Sequence, residues 1–157
     1  MRAAQRGDPR AMDQLMRRLS PGLGRLCGSI ALQEGDDALQ ETWIVLLRNL
    51  HTLREPAAIW GWARRIAVHE SIRVAKRAGR AVPVEDVDTI APVDVETSVD
   101  VRDVLTKLAP EQRAILVLRD LEGLGEDEAA ALLGAPSGTV KSRLHRARAA
   151  FRERWVS

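Results

Sequence analysis

A glycine near the C-terminal end, Gly134, sets the strongest limit on how this chain can fold, because it separates two helical patterns within residues 126–155. Alanine and leucine precede it, and glycine readily ends a helix by adopting positive φ. Ser137 starts the second pattern, and we predict that its side-chain oxygen caps that helix by accepting a free backbone N–H. Two helices joined by so short a turn predict a helix-turn-helix.

The second of these helices has two chemically different sides. Its apolar residues recur at helical spacing and predict a stripe against a core: Val140, Leu144, Ala147 and Phe151. The outward side is polar and basic, and it is predicted to reach base edges and phosphates: Lys141, Ser142, His145 and Arg146. A solvated basic helix is the alternative. The glycine turn, the serine cap and the single stripe together favour DNA binding.

Composition and charge extend this reading to the whole chain. With one Phe, no Tyr and mostly aliphatic apolar residues, the chain suits helical packing. The net charge is only +2, so the balance by itself does not indicate a nucleic-acid partner. Its distribution does: basic blocks at residues 64–80 and 141–154 flank an acidic stretch at residues 85–103. Two basic patches predict two contacts with a polyanion.

Start signals and periodicity predict an N-terminal group of four helices that closes a small bundle. Asp8-Pro9 starts the first, with Asp as the cap and Pro at the first helical position. Ser20-Pro21 repeats that signal, so a second helix is expected from there to about Leu32. A turn over residues 33–36, a third helix to Leu50 and a fourth over residues 57–78 follow.

Periodicity disappears from residue 79 to about residue 97, where prolines and acidic residues describe an extended tether. Helical patterns return over residues 99–108. Ala109-Pro110 restarts the chain before a predicted buried stripe of Ile115, Leu116, Leu118 and Leu121. We therefore predict an all-α fold of two small helical domains, residues 1–80 and 99–157, joined by a flexible acidic linker at residues 81–98.

Several classes of function are disfavoured by what the sequence lacks. Cys27 is the one cysteine and falls on an apolar helical face, so a buried, inert thiol is expected and an internal disulfide is excluded. No metal site or cofactor is expected. No apolar run reaches membrane-spanning length, and Arg2, Arg6 and Asp8 interrupt any signal peptide, so the expected location is the cytoplasm.

Two stretches together resemble a known family. APEQRAILVLRDLEGLGEDEAAALLGAPSGTVKSRLHRARAAFRER is similar to region 4 of the extracytoplasmic-function (ECF) group of bacterial sigma factors. DDALQETWIVLLRNL, followed by IWGWARRIAVHESIRVAKR, is similar to region 2 of that group. The order and spacing of the stretches also match. The resemblance implies a non-catalytic subunit that binds core RNA polymerase and directs it to promoters.

In the family, a region 2 helix bearing Asp-x-x-Gln-Glu contacts the clamp helices of the β′ subunit. Here that motif is Asp37, Gln40 and Glu41, whose spacing places them on one helix face. The family also docks region 4 on the β flap, which we expect to use apolar surface around residues 115–121. A partner anti-sigma factor commonly covers these surfaces, so such a partner is expected.

The family reads the −10 promoter element as a melted single strand, with the loop before the fourth helix and with that helix. Carried over, the loop is residues 51–60 and the contacts are Trp60, Arg64, Arg65, His69, Arg73 and Arg77. An extruded base needs a polar pocket, and the strand needs a basic track. His69 stands where the family often has Asn, so reading a base and packing inside the protein both remain open. Trp62 is expected to be structural.

In region 4 the family's recognition helix enters the major groove at the −35 element. The resemblance assigns Lys141, Ser142, His145 and Arg146 to the groove, with Thr139 and Arg143 as phosphate contacts. The linker corresponds to a segment that passes near the RNA exit path, where its acidity would mimic a polyanion; a plain solvated linker is equally open.

Two other functions compete with this one. A stand-alone helix-turn-helix regulator would bind duplex DNA without polymerase and would not need the Asp37, Gln40 and Glu41 face. An enzyme is disfavoured because His51, His69 and His145 lie on separate segments and no glycine-rich phosphate loop is present.

Overall fold

A computed structural model describes residues 1–81 and 101–156, and the regular elements of these residues are helical. They are α1 (Arg2–Gln5), α2 (Pro9–Ala31), α3 (Gly35–Asn49), α4 (Ile59–Ala81), α5 (Val101–Thr106), α6 (Pro110–Leu116), α7 (Glu126–Leu133) and α8 (Ser137–Trp155). Short 3₁₀ turns precede α3 and α4, and a π-helical turn at Val117–Leu121 extends α6. The predicted linker lies outside the described residues except for its first residue. The all-α prediction is confirmed.

The first long helix begins as predicted, but it does not end at the second start signal. The Asp8 carboxylate accepts the Ala11 amide at 2.9 Å, and Pro9 is the first helical residue. The expected new helix at Ser20-Pro21 is wrong, because α2 runs without a break through Pro21 to Ala31. Leucines on both sides of the proline are buried in one stripe, and this packing outweighs the backbone hydrogen bond that proline removes.

Helices α2, α3 and α4 pack against one another and form the N-terminal core. The expected turn over residues 33–36 is shorter than predicted, since Leu32–Glu34 forms a 3₁₀ turn and α3 already begins at Gly35. Gly35 is required there, because a β-carbon would lie 2.8 Å from the Cα of Gly28 on α2. The buried side of α4 is built largely from small residues: Ala63, Ala67, Val68, Ser71, Val74 and Ala75.

The C-terminal half is organised around α6 and α8, which pack directly together. Pro110 is the first residue of α6, as predicted, and Ile115, Leu116 and Leu118 are buried. Leu121, however, is 59% exposed, so its assignment to the buried stripe is wrong. The π-helical turn inserts an extra residue into the helical period, which rotates the residues after it away from the direction that 3.6-residue spacing predicts.

The two halves are in contact. Helix α6 packs against α2 and α4, and α7 packs against α4, so apolar side chains from both halves form a single buried cluster. Arg113 of α6 is 7% exposed within it and donates from Nε to the carbonyl oxygen of Ile30 at 2.9 Å. That oxygen lies in the last turn of α2, where helix carbonyls lack partners within the helix. No local pattern of residues predicted this contact.

Candidate nucleic-acid interface

The helix-turn-helix has the predicted glycine turn, but its serine makes a different hydrogen bond from the predicted helix cap. Gly134 ends α7 with φ 65° and ψ 34°, the left-handed conformation that favours glycine. The predicted capping role of Ser137 is wrong, because Pro136 occupies the cap position and Ser137 lies inside α8. Its hydroxyl instead donates to the Asp127 carboxylate on α7 at 2.6 Å. The serine therefore joins the two helices of the motif.

Helix α8 divides into the two sides that its sequence predicted. Val140, Leu144 and Ala147 are buried and Phe151 is half-buried. The predicted groove and phosphate contacts lie on the other side. Lys141, Ser142, Arg143, His145 and Arg146 are exposed, and Thr139 is half-buried. A basic face of this kind, on the second helix of such a motif, has the form of a major-groove reader.

Three arginines outside the predicted set extend the basic side of α8. Arg119, Lys141, His145, Arg148 and Arg152 line an open cleft of about 370 Å³, with Glu126 as its one acidic residue. Arg148 donates two hydrogen bonds, of 3.0 and 2.6 Å, to the carboxylate of Asp120 in the π-helical turn. The hydrogen bond from Arg148 holds the pKa of Asp120 below its usual range. Only the fold brings Arg119 here, so sequence spacing offered no signal for it.

Two of the residues assigned to the −10 strand, Trp60 and Arg64, touch each other at the start of α4. The Trp60 ring is 41% exposed and rests on α2 at Gly22, where a β-carbon would lie 2.3 Å from ring atom Cη2. The Arg64 guanidinium carbon lies 5.7 Å from the ring centroid, at cation–π distance. Arg64 also approaches Glu128 of α7, with 3.5 Å between Nη1 and Oε1.

Further along α4, two assigned arginines share one carboxylate with α3. Arg73 lies 3.2 Å and Arg77 3.8 Å from the Glu41 carboxylate. Arg73 also donates to the Glu70 carboxylate at 2.5 Å, and this hydrogen bond raises the pKa of Arg73. Glu41 belongs to the motif assigned to polymerase. The ion pairs therefore connect the α3 face assigned to polymerase with the α4 face assigned to the −10 strand, which the sequence analysis described separately.

The remaining members of the predicted −10 set, Arg65 and His69, are exposed on α4. Both approach the turn after α7, since a β-carbon on Gly134 would lie 3.6 Å from Arg65 Nη2 and from His69 Cε1. Of the two readings left open for His69, packing in the core is therefore excluded. Trp62 is half-buried against the core, as expected.

The face of α3 assigned to polymerase is accessible. Asp37 and Gln40 are exposed and Glu41 is half-buried. Ile44 and Leu47, at 39% and 41% exposure, continue the same side of the helix. The sequence analysis missed them, although their spacing from Gln40 and Glu41 placed them on that side. An apolar patch bordered by acids is a form that protein partners bind.

A second accessible apolar surface lies in the C-terminal half. Leu105, Leu116, Leu121 and Phe151 line a groove of about 230 Å³ between α5, α6 and α8. Asp120 and Arg148 stand at its edge. This groove includes part of the segment that was expected to dock on the polymerase flap.

The described residues contain no group of three or more metal-ligating side chains close enough to hold an ion. None of the helices in residues 1–81 and 101–156 is long and apolar enough to cross a membrane. Cys27 is fully buried, as expected, and burial raises the pKa of its thiol. The described residues also present two basic faces, on α4 and α8, and two accessible apolar surfaces, on α3 and beside α8.

Helices α7 and α8 define a helix-turn-helix protein, and comparison with known proteins identifies its family. Residues 13–81 match the family model for sigma-70 region 2, and residues 98–151 match the model for sigma-70 region 4. The chain belongs to the ECF group of the sigma-70 family.

Relatives and solved structures point the same way. ECF RNA polymerase sigma factor SigM of Mycobacterium tuberculosis is 39% identical over 149 residues, covering 91% of this chain and 76% of SigM. ECF RNA polymerase sigma-E factor of Escherichia coli is 32% identical over 168 residues, covering 94% and 87%. CnrH, solved with the cytosolic domain of CnrY, matches with a TM-score of 0.62 and 25% identity over 96% of this chain and 90% of CnrH.

Bartonella quintana RpoE, solved with the anti-sigma factor NepR, shares the fold: the TM-score is 0.67 at 24% identity, over 92% of this chain and 96% of RpoE.

Proposed function

We propose that this chain binds core RNA polymerase and directs it to promoters by reading two DNA elements. The observation that carries the proposal is the exposure of two faces on one chain: the α3 face of Asp37 and Gln40, and the basic face of α8. A protein that only binds duplex DNA needs the second face and has no use for the first. Family membership in both regions supports the same assignment.

The division of labour follows the two family regions. Residues 1–80 form the unit that binds the β′ clamp helices and reads the −10 element, residues 81–98 form the linker, and residues 99–157 form the unit that reads the −35 element. In the first unit, Trp60 and the basic residues of α4 handle a melted strand. In the second, Lys141, Ser142, His145 and Arg146 enter the major groove while Thr139 and Arg143 contact phosphates.

The groove between α5, α6 and α8 is the proposed site for the β flap. Its apolar floor and charged rim suit an amphipathic helix from the partner. An anti-sigma factor is proposed as a competing partner, since a similar sigma factor has been solved in complex with one. The protein acts by positioning polymerase, without catalysis of its own, and its place of action is the cytoplasm, where polymerase and chromosome are found.

Tethering explains how two small DNA contacts suffice. Binding one element makes the second contact intramolecular, so both act at high effective concentration once polymerase holds the chain. Run-off transcription with core polymerase on the promoter upstream of the protein's own gene tests the proposal. A defined transcript that requires this chain supports it. Specific duplex binding with no effect on polymerase would instead identify a stand-alone regulator.

A further inference from the structure

The side chain of Gln5, on the short helix α1, reaches the segment that joins α3 to α4. Its amide nitrogen Nε2 donates to the carbonyl oxygens of Leu50, at 3.0 Å, and Leu53, at 2.7 Å. These partners lie 45 and 48 positions further along the chain. A carboxamide nitrogen carries two protons, so each carbonyl oxygen receives one of them. Gln5 thus links α1 to the beginning of the loop at residues 51–60.

Helix α1 holds Gln5 in a fixed place. Ala4 is 2% exposed, and α1 packs against α2. The chain turns back at Gly7, whose φ of 84° lies in the left-handed region, and the Asp8 amide donates to the carbonyl oxygen of Ala3 at 3.0 Å. The backbone on both sides of Gln5 is therefore held by contacts that do not involve its side chain. Little further conformational entropy is lost when the carboxamide bonds the loop.

The loop has few other contacts that fix its position. Over residues 51–58, Leu53 and Pro56 are half-buried and the other side chains are exposed. Bonds such as that from the Leu53 amide to the Leu50 carbonyl oxygen, at 3.3 Å, close single turns and do not tie the loop to the rest of the protein. Among the described residues, the hydrogen bonds that join this segment to a distant part of the chain are the two that Gln5 donates.

The two ends of the loop are thus held in different ways. At the far end, the Trp60 ring is packed on α2 at Gly22. At the near end, the backbone depends on Gln5. An extruded base is read in a pocket whose polar groups must stand at hydrogen-bond distance from its edge. A loop that samples several shapes binds with an affinity reduced by the fraction of time that it spends in the competent one.

We propose that Gln5 is a positioning residue for −10 recognition, which holds the loop at residues 51–60 in its strand-binding shape before DNA arrives. It acts through the backbone carbonyls of Leu50 and Leu53. The proposal rests on the proposed function, since it uses the assignment of this loop to the −10 strand. Position 5 then requires two N–H donors on a side chain of glutamine's length, because both partners are acceptors.

The test uses holoenzyme assembled from the full chain and core polymerase. The probes are a fluorescent single-stranded oligonucleotide carrying the −10 sequence of the promoter upstream of the protein's own gene, and a scrambled oligonucleotide of the same composition. Gln5→Met keeps the length of the side chain and removes both donors. The matched control, Gln33→Met, makes the same change at an exposed position of the turn before α3.

We expect fluorescence anisotropy to show about fivefold weaker binding of the −10 oligonucleotide by Gln5→Met than by the control. Binding of the scrambled oligonucleotide and of a −35 duplex should be equal in the two. Gln5→Lys supplies an ammonium group of similar reach with three donors, so it should restore most of the ratio of −10 to scrambled affinity. Circular dichroism verifies folding, and Gln5→Asn, which is one methylene too short, replaces Gln5→Met if that variant is unstable.

Equal −10 binding by Gln5→Met and Gln33→Met would overturn the positioning role. A lower Tm with an unchanged ratio of −10 to scrambled affinity would also overturn it, since Gln5 would then serve stability alone. The wild-type holoenzyme separates this inference from the proposed function. If it prefers the −10 oligonucleotide while the two variants match, only the role of Gln5 is rejected. If it shows no such preference and gives no transcript, the proposed function is rejected together with this inference.

Discussion

Arg113 and Ile30 are 83 positions apart, yet the guanidinium Nε of Arg113 donates to the Ile30 carbonyl oxygen at 2.9 Å in a buried site. Its Nη1 also reaches the carbonyl oxygens of Leu108, at 3.1 Å, and Leu105, at 3.4 Å. Burial lowers the pKa of Arg113, but a guanidinium remains charged in proteins. One side chain therefore satisfies carbonyls of α2 and of the C-terminal half together.

We expect Arg113→Ala to lower the free energy of unfolding by about 3 kcal/mol, because it leaves buried carbonyl oxygens without donors and opens a cavity. Urea denaturation followed by circular dichroism measures this. Arg17→Ala is the control, since its ion pair with Asp13 is highly exposed and its loss should cost less than about 0.5 kcal/mol. Similar values for the two variants would show that Arg113 does not tie the halves together.

The glycine under Trp60 supports a second prediction. In Gly22→Ala the new methyl group would overlap the ring, so the Trp60 side chain must move, at a cost of about 1–3 kcal/mol. Gly28→Ala on the same helix meets nothing within 4 Å and should gain about 0.5–1 kcal/mol from helix propensity. Thermal unfolding compares them. A stabilised Gly22→Ala protein would mean that Trp60 does not rest on α2.

Sequence patterns predicted the elements whose signals are local. The Asp8 cap, the Gly134 turn and the apolar stripe of α8 depend on a few neighbouring residues, and all are present. The predicted helix start at Pro21 was wrong because the Ser-Pro signal is local, whereas the burial of leucines on both sides of Pro21 depends on tertiary packing. The predicted burial of Leu121 was wrong because a π-helical turn shifts the helical period. No sequence pattern in residues 115–121 predicts that turn.

The sequence predicted which helix faces point outward, but it did not predict which of their side chains form ion pairs between helices. Periodicity placed the basic residues of α8 and the acidic residues of α3 outward, as found. It could not show that Glu41 meets Arg73, or that Glu128 meets Arg64, because each pair joins helices whose relative position depends on packing. Contacts between distant segments require the fold.

Arg146 gives a prediction for promoter recognition. If it reads a base edge, Arg146→Ala should weaken holoenzyme binding about tenfold on the native −35 element and much less on a promoter already altered at the contacted base. Gel-shift titration across a set of −35 variants measures both effects. Arg10→Ala on the exposed start of α2 is the control and should leave binding unchanged. Equal weakening on every −35 variant would reassign Arg146 to a phosphate.

The Asp120–Arg148 ion pair predicts that the free energy of unfolding depends on pH. The folded-state pKa of Asp120 lies below its unfolded value of about 3.9, so the pair stabilises the fold above that pH and the contribution is lost as pH falls through the folded pKa. Because the pair is exposed, we expect Asp120→Asn to cost about 0.5–1 kcal/mol at pH 7 and progressively less as the pH falls below about 3.9. Denaturation at several pH values tests this. A difference that stays constant with pH would assign the loss to packing.

The α3 face gives the prediction that separates a sigma factor from a stand-alone regulator. Replacing Asp37, Gln40 and Glu41 together with alanine should weaken binding to core polymerase at least tenfold. The substitution removes the charged contacts at the rim of the interface, and the exposed Ile44 and Leu47 would then face the clamp without electrostatic complementarity around them.

Surface plasmon resonance with immobilised core polymerase measures this affinity. The control replaces Asp103, Thr106 and Glu122, exposed residues of the other half with the same loss of two charges. Glu41 also neutralises Arg73 and Arg77, so Glu41→Ala alone should strengthen single-strand binding while it weakens polymerase binding. Undiminished polymerase affinity of the triple variant, with its fold intact, would remove α3 from the interface and leave the apolar groove beside α8 as the principal docking surface.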